Sequence, residues 1–177
     1  FCNAGTSNKW LEVHGIEHWT EFYTDYGREI QLAFFDYFLK GKKNGWNKRP
    51  KVQLQIRHPG EKFVERFETS WPLEKTQWTK LYLDGENESL VQKPNSSQTA
   101  RSYTGLSEGL TFMSQPLDED MEITGPMASR LWVSSDTVDV DLFLVFRIFT
   151  ADLKEITYQG ALDPHTPIAQ GWLRASH

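Results

Sequence analysis

Two of the five histidines stand four residues apart in the run Lys9 to Trp19, KWLEVHGIEHW, and they are the side chains here best suited to chemistry. An imidazole titrates near neutrality, so it can take a proton and give it back within one reaction cycle. His14-Gly15-Ile16-Glu17-His18 also spells H-x-x-E-H, in which two histidines one helical turn apart hold zinc and the glutamate acts as base. That reading requires a helix through Gly15, where glycine costs about 1 kcal/mol. Trp10-Leu11-Glu12-Val13 alternates as a strand does, and no third ligand is nominated. A second reading makes one histidine the general base of a serine triad, with the order Ser, Asp or Glu, then His placing the histidine last. A third leaves both rings simply packed among Trp10, Trp19, Phe22 and Tyr23.

The surrounding chain says what would position them. A short apolar strand feeds the histidine turn, and a helix follows, with Ile30, Ala33, Phe34, Tyr37 and Phe38 at the spacing of one buried face. Thr20 or Thr24 can cap its start, and Gly41 suits the left-handed position past its end. Gly41 to Pro50, with Asn44, Gly45 and Asn47, reads as a linker, so a boundary is expected between 1–49 and 50–177. The cations from Lys40 to Lys51 gather at and past that helix end, where they suit its dipole. Beyond Pro50 the period changes to two: Val52, Leu54 and Ile56, then Phe63, Val64 and Phe67, then Trp78, Leu81 and Leu83 up to a turn at Asp84-Gly85. Residues 84 to 109 are polar and form a surface excursion or a pair of weak strands. Strands are expected at Leu110 to Met113, Met121 to Ile123, Met127 to Ser134, Val140 to Phe149 and Gln170 to Ala175. The set of about eight to ten predicts a mainly β protein, a jelly-roll β-sandwich preceded by one strand and one helix.

Strand, histidine loop and helix together form the ending of many α/β hydrolases. LEVHGIEH followed by WTEFYTDYG and FFDYFLKG resembles the end of the hydrolase domain in the cocaine esterase and X-prolyl dipeptidyl peptidase family, the CocE/NonD hydrolases. Members carry a loop L-x-x-G-P-W-x-H whose last residue is the triad histidine; here that position is His18, and His14-Gly15-Ile16 stands in place of Gly-Pro-Trp. WPLEKTQWTKLYLDGE, LTFMSQPLDEDMEITGPMASRLWVSSDTVDVDLFLVFRIFT and GWLRASH resemble, in order, the blocks of the family's C-terminal jelly roll. The resemblance implies a serine hydrolase acting on ester or amide bonds, acyl-peptide or X-prolyl among them. It implies that His18 takes the serine's proton, and that the serine, its carboxylate partner and the main oxyanion donor lie upstream of Phe1. The partners implied are that upstream hydrolase domain and a small ester or peptide substrate. The chain alone is then expected to be inactive, with no cofactor and no metal. With that upstream domain absent, the helix face of Phe34, Phe35 and Phe38 is partly exposed, and a homodimer or folding of the helix onto the sandwich is expected.

Other motifs carry less. Gly105-Leu106-Ser107-Glu108-Gly109 matches the nucleophile elbow G-x-S-x-G, but no apolar strand precedes it and no helix pattern follows, so Ser107 is not expected to react. Asp139 and Asp141 share one strand face; calcium would require six or more oxygens, and even with Asp136 the sequence offers too few. Pairing with an arginine or solvation is expected instead, Arg174 being the candidate because its strand carries the other late block of the resemblance. Trp71, Trp78, Trp132 and Trp172 raise a rival from another class, a non-catalytic β-sandwich that stacks carbohydrate on an exposed ring.

Composition excludes more than it selects. A formal charge of −5 and no dense basic block argue against nucleic acid or an anionic membrane as partner. One cysteine, Cys2, rules out an internal disulfide, and the longest apolar run is broken by Asp139, Asp141 and Arg147, far short of a membrane span. A soluble protein is expected, cytoplasmic rather than secreted.

Overall fold

Alternation of apolar and polar residues builds the first sheet. In the computed structural model, which describes all 177 residues, β1 (Leu11–Val13) pairs in parallel with β2 (Val52–His58), and β2 pairs antiparallel with β3 (Lys62–Glu68). The register sets Leu11 beside Val52 and Val13 beside Leu54, and it sets Glu12 beside Gln53. Parallel neighbours cannot be joined by a tight turn, so the connection runs through helices. These are α1 (Thr20–Tyr23) and α2 (Asp25–Lys40).

The helix start expected between Thr20 and Thr24 falls at Thr24, where a break separates α1 from α2. Thr24 is extended, with ψ at 165°, and its hydroxyl oxygen accepts from the Gly27 amide at 3.1 Å, capping α2. At the other end Gly41 is left-handed, φ 64°, and the Lys42 amide donates back to the Asp36 carbonyl at 3.0 Å. Asp36 is buried near this end, and hydrogen bonds from Lys40 first and Lys42 second hold its carboxyl below the usual range.

Four rings lock α2 to the strand it follows. Trp46, in a single 3-10 turn (Trp46–Lys48), meets Trp10 at 5.4 Å and Phe34 at 5.2 Å, both edge to face; Phe38 completes the group beside Phe34 and Trp10. Trp46 is only 6% exposed and shares the core with Val52, Leu54 and Tyr158. The outer face of α2 is bare: Leu32, Phe35 and Leu39 all point into solvent.

The chain divides into two compact units, Phe1–Glu74 with Gly125–His177, and Lys75–Thr124. The second holds β4 (Tyr82–Asp84) and β5 (Ser89–Val91), an antiparallel hairpin with Met113 bridged to Ser89. The first also holds β6 (Asp141–Phe146), β7 (Ile148–Phe149), β8 (Glu155–Ile156) and β9 (Ala169–Arg174), paired β6 with β9 and β7 with β8. Arg57 ties the first sheet to this part, donating to the Ile168 carbonyl at 2.8 Å and lying over the Tyr158 ring.

The architecture is thus mostly strand with few helices. Four expected strands differ. Leu110 to Met113 keeps only the single bridge from Met113 to Ser89. Met121 to Ile123 and Met127 to Ser134 stay irregular: Gly125, at φ 146°, and Pro126 lie between them, and Ile123, Met127, Trp132 and Val133 find no face to pack on. Val140 to Phe149 breaks at Arg147, whose guanidinium turns out to both oxygens of Glu155. No helix is long and apolar enough to cross a membrane.

Candidate functional site

The histidine loop is built by what holds its backbone. After β1 the chain turns at Gly15, which is buried; its amide donates to the Gln55 side chain at 2.9 Å, and a Cβ there would enter the Phe63 ring. Only glycine fits so close an approach of loop to sheet. Residues 14 to 18 are bend, turn and irregular backbone, not helix, so the two imidazoles do not share a helix face. No group of three or more His, Cys, Asp or Glu side chains is placed to hold a metal ion.

The two histidines have different surroundings. His14 Nε2 donates to Glu12 Oε1 at 2.9 Å in a half-buried position. Since a carboxylate only accepts, that nitrogen carries the proton. The Tyr26 phenol donates to the same oxygen at 2.6 Å, and Gln53 donates to the Tyr26 oxygen at 3.0 Å. Burial first, and the Glu12 bond second, push the Tyr26 phenol up to about 12. His18 is exposed, stands edge-on to Trp19 at 4.7 Å, and both its ring nitrogens are free of hydrogen bonds. Glu17, between them, accepts from the Thr20 hydroxyl at 2.7 Å, which holds its carboxyl below the usual range.

Glu12, Tyr26, Gln53 and Gln55 were not nominated by motif. A signal was present in the strand: glutamines alternate with Val52, Leu54 and Ile56, where a merely solvated face would carry charged or hydroxyl side chains as readily.

The other candidates fall apart or into pairs. Ser107 is exposed in a turn whose amide donates to the Thr104 carbonyl, with irregular backbone on both sides, so the strand and helix of a nucleophile elbow are absent. Asp141 takes both arms of Arg174, at 2.7 and 2.9 Å. Asp139 accepts from the Ser176 hydroxyl and the Val140 amide. These bonds, Ser176 leading for Asp139 and Arg174 for Asp141, hold both carboxyls below their usual range. Asp136 is exposed. Of the tryptophans, Trp71 is half-buried, while Trp78, Trp132 and Trp172 are 67%, 85% and 73% exposed.

Known proteins place this arrangement. The β-rich fold is that of the C-terminal part of the CocE/NonD hydrolases: two crystal structures of such a hydrolase from Staphylococcus aureus superpose with TM-scores of 0.78 and 0.79 at 25% identity. They cover all of this chain and 33% and 32% of that one. Residues 44–177 match the X-Pro dipeptidyl-peptidase C-terminal non-catalytic domain, and the chain belongs to that family. Cocaine esterase of Rhodococcus sp. (strain MB1 Bresler) is 26% identical over 170 residues, 74% of this chain and 28% of that protein. The chain therefore spans about a third or less of these relatives. His14 and His18 lie before the matched domain begins.

Proposed function

We propose that this chain is the C-terminal part of a serine hydrolase that cleaves ester or amide bonds, acyl-peptide or X-prolyl bonds included, and that His18 is its triad histidine. One observation carries the reading: His18 sits on the loop between a parallel strand and the helix after it, exposed, with both ring nitrogens open. A triad histidine needs both, one toward the serine and one toward the orienting carboxylate. His14 has already committed one nitrogen to Glu12.

In this reading residues 1–49 end an α/β-hydrolase domain and 50–177 form a jelly-roll accessory domain. β1 is the outer strand of a parallel pair, and parallel sheets are ordinarily larger and covered on both faces, so an upstream sheet of the same protein is the natural neighbour of its free edge. The bare apolar face of α2 is consistent with such a cover. Alone, the chain lacks an activated serine and preorganised oxyanion donors, and is expected to be inactive.

The test is His18→Ala in the full-length hydrolase, assayed on an activated ester at neutral pH. A loss of turnover of about 10⁴-fold or more is expected, with His14→Ala costing far less. Equal or reversed costs would overturn the assignment, and saturable turnover by this chain alone would reopen Ser107. A second reading has its own support: Trp172 presents an exposed ring, as a carbohydrate-stacking platform would. Calorimetric titration with oligosaccharides separates the two, since binding lost on Trp172→Ala belongs only to the platform.

A further inference from the structure

Glu12 is the knot from which the His18 loop is hung. One of its oxygens receives both the Tyr26 phenol and His14 Nε2–H, at 2.6 and 2.9 Å. Gln53 extends the chain of bonds, giving its amide hydrogens to the Tyr26 oxygen at 3.0 Å and to Glu65 at 2.7 Å. β1, the first turn of α2, β2 and β3 are thereby joined through side chains alone. Charge-assisted bonds this short are the strong ones; the Tyr26 bond ties the first turn of α2 to β1, and the His14 bond holds the start of the loop on the same oxygen. The stretch between His14 and Tyr26 is pinned again inside, where the Gly15 amide meets Gln55 and Thr20 meets Glu17. His18 projects from the short segment strung between these anchors.

We infer that Glu12, His14 and Tyr26 form a positioning latch that sets where His18 stands, so that His14 serves the site by orienting it. The inference rests on the reading of His18 as the triad base. Its mechanism is geometric: a general base must lie within hydrogen-bond reach of the proton it takes, and a misplacement of about 1 Å can cost about 10²-fold. Without the latch, α2 keeps its ring cluster on Trp46, but the loop before it loses its side-chain tie to β1.

The experiment uses the full-length hydrolase and the variants Glu12→Gln, Tyr26→Phe, His14→Ala and His14→Gln. Glu12→Gln, Tyr26→Phe and His14→Ala are each expected to lower kcat about tenfold or more with KM within about twofold, the pattern of lost transition-state positioning. His14→Gln, whose amide can still donate to Glu12, should recover most of kcat. Hydrogen exchange across residues 14 to 24 should accelerate in the three damaging variants and return in His14→Gln. Faster exchange with kcat within twofold of wild type would leave the latch purely structural and overturn the inference. Unchanged exchange would show there is no latch. A wild-type protein with neither turnover nor labelling by a fluorophosphonate would sink the hydrolase reading instead, and exchange would then judge the latch by itself.

Discussion

The region around the histidine loop and the region around Asp84 are both held together, but by opposite means. The first is closed by rings, Trp46 meeting Trp10 and Phe34, and by the buried Val52 and Leu54, with the polar latch added. In the second, Asp84 is itself the buried centre. Its carboxylate accepts from the Asn87 side chain at 2.8 Å, the Glu86 amide at 2.9 Å and the Ser89 hydroxyl at 3.4 Å, and the Asn87 bond first, then the Glu86 bond, hold it below the usual carboxylate range. Arg101 fastens the same turn through the Gly85 and Glu86 carbonyls. Apolar burial is undirected and tolerates sequence change if volume is kept, whereas a carboxylate knot depends on each donor being where it is.

The contrast is broken most severely at Trp46. Trp46→Ala is expected to cost about 3–5 kcal/mol in denaturant unfolding, because the cavity falls where α2, Trp10 and the linker meet. If unfolding instead shifts by a small fraction of that, the rings are not what closes this region. Gly15→Ala should cost less, about 1–3 kcal/mol, through collision with Phe63. Adding Phe63→Ala should recover part of the loss, and failure to recover any would mean the collision is with backbone. Asp84→Ala, measured by hydrogen exchange, should speed exchange about tenfold at residues 85 to 91 and leave residues 11 to 58 as they were, since local openings follow local contacts. Spread of the effect into the histidine region would erase the distinction between the two.

The smallest expected effect concerns pH. The Tyr26 phenol is pushed up to about 12 in the folded chain, against about 10 for an unperturbed tyrosine. The unfolded chain therefore releases this proton first. The stability the phenol contributes is complete below about pH 10 and declines as pH rises toward 12. Tyr26→Phe should remove that share of the alkaline decline, read from unfolding midpoints between pH 9 and 11. An unchanged slope would mean that the Tyr26 phenol is neither buried nor tied to Glu12 in the folded chain.

Legibility in the sequence follows the same divide. The caps at Thr24 and Gly41, the strand at Val52, and the pairing of Asp141 with Arg174 were readable, because periodicity, capping chemistry and charge act over a few residues or along one strand. The triad role proposed for His18 rests on its loop pattern. Glu12 and Tyr26 were not reached at all, since nothing local marks a carboxylate that will accept from a phenol 14 residues on. The strands expected at Met121 to Ile123 and Met127 to Ser134 failed for a related reason. Alternation marks a strand only where a partner face exists to receive it, and Met121, Ile123, Met127 and Trp132 remain open to solvent.

The parallel register of β1 against β2 bears on how this protein can be dissected. Leu11 and Val52 are paired in space but 41 positions apart in sequence, so the first sheet is complete only when both ends of the α1 and α2 crossover are present. A piece cut to begin at Asn44, where the recognised domain starts, would discard β1 and α2 together. β2 would become an outer strand with an open row of amides and carbonyls beside the newly uncovered Val52 and Leu54. Such an edge invites pairing with its own copies. Expression of the β-rich part by itself is thus better begun ahead of Lys9, with the histidine loop retained as the cover of its first sheet.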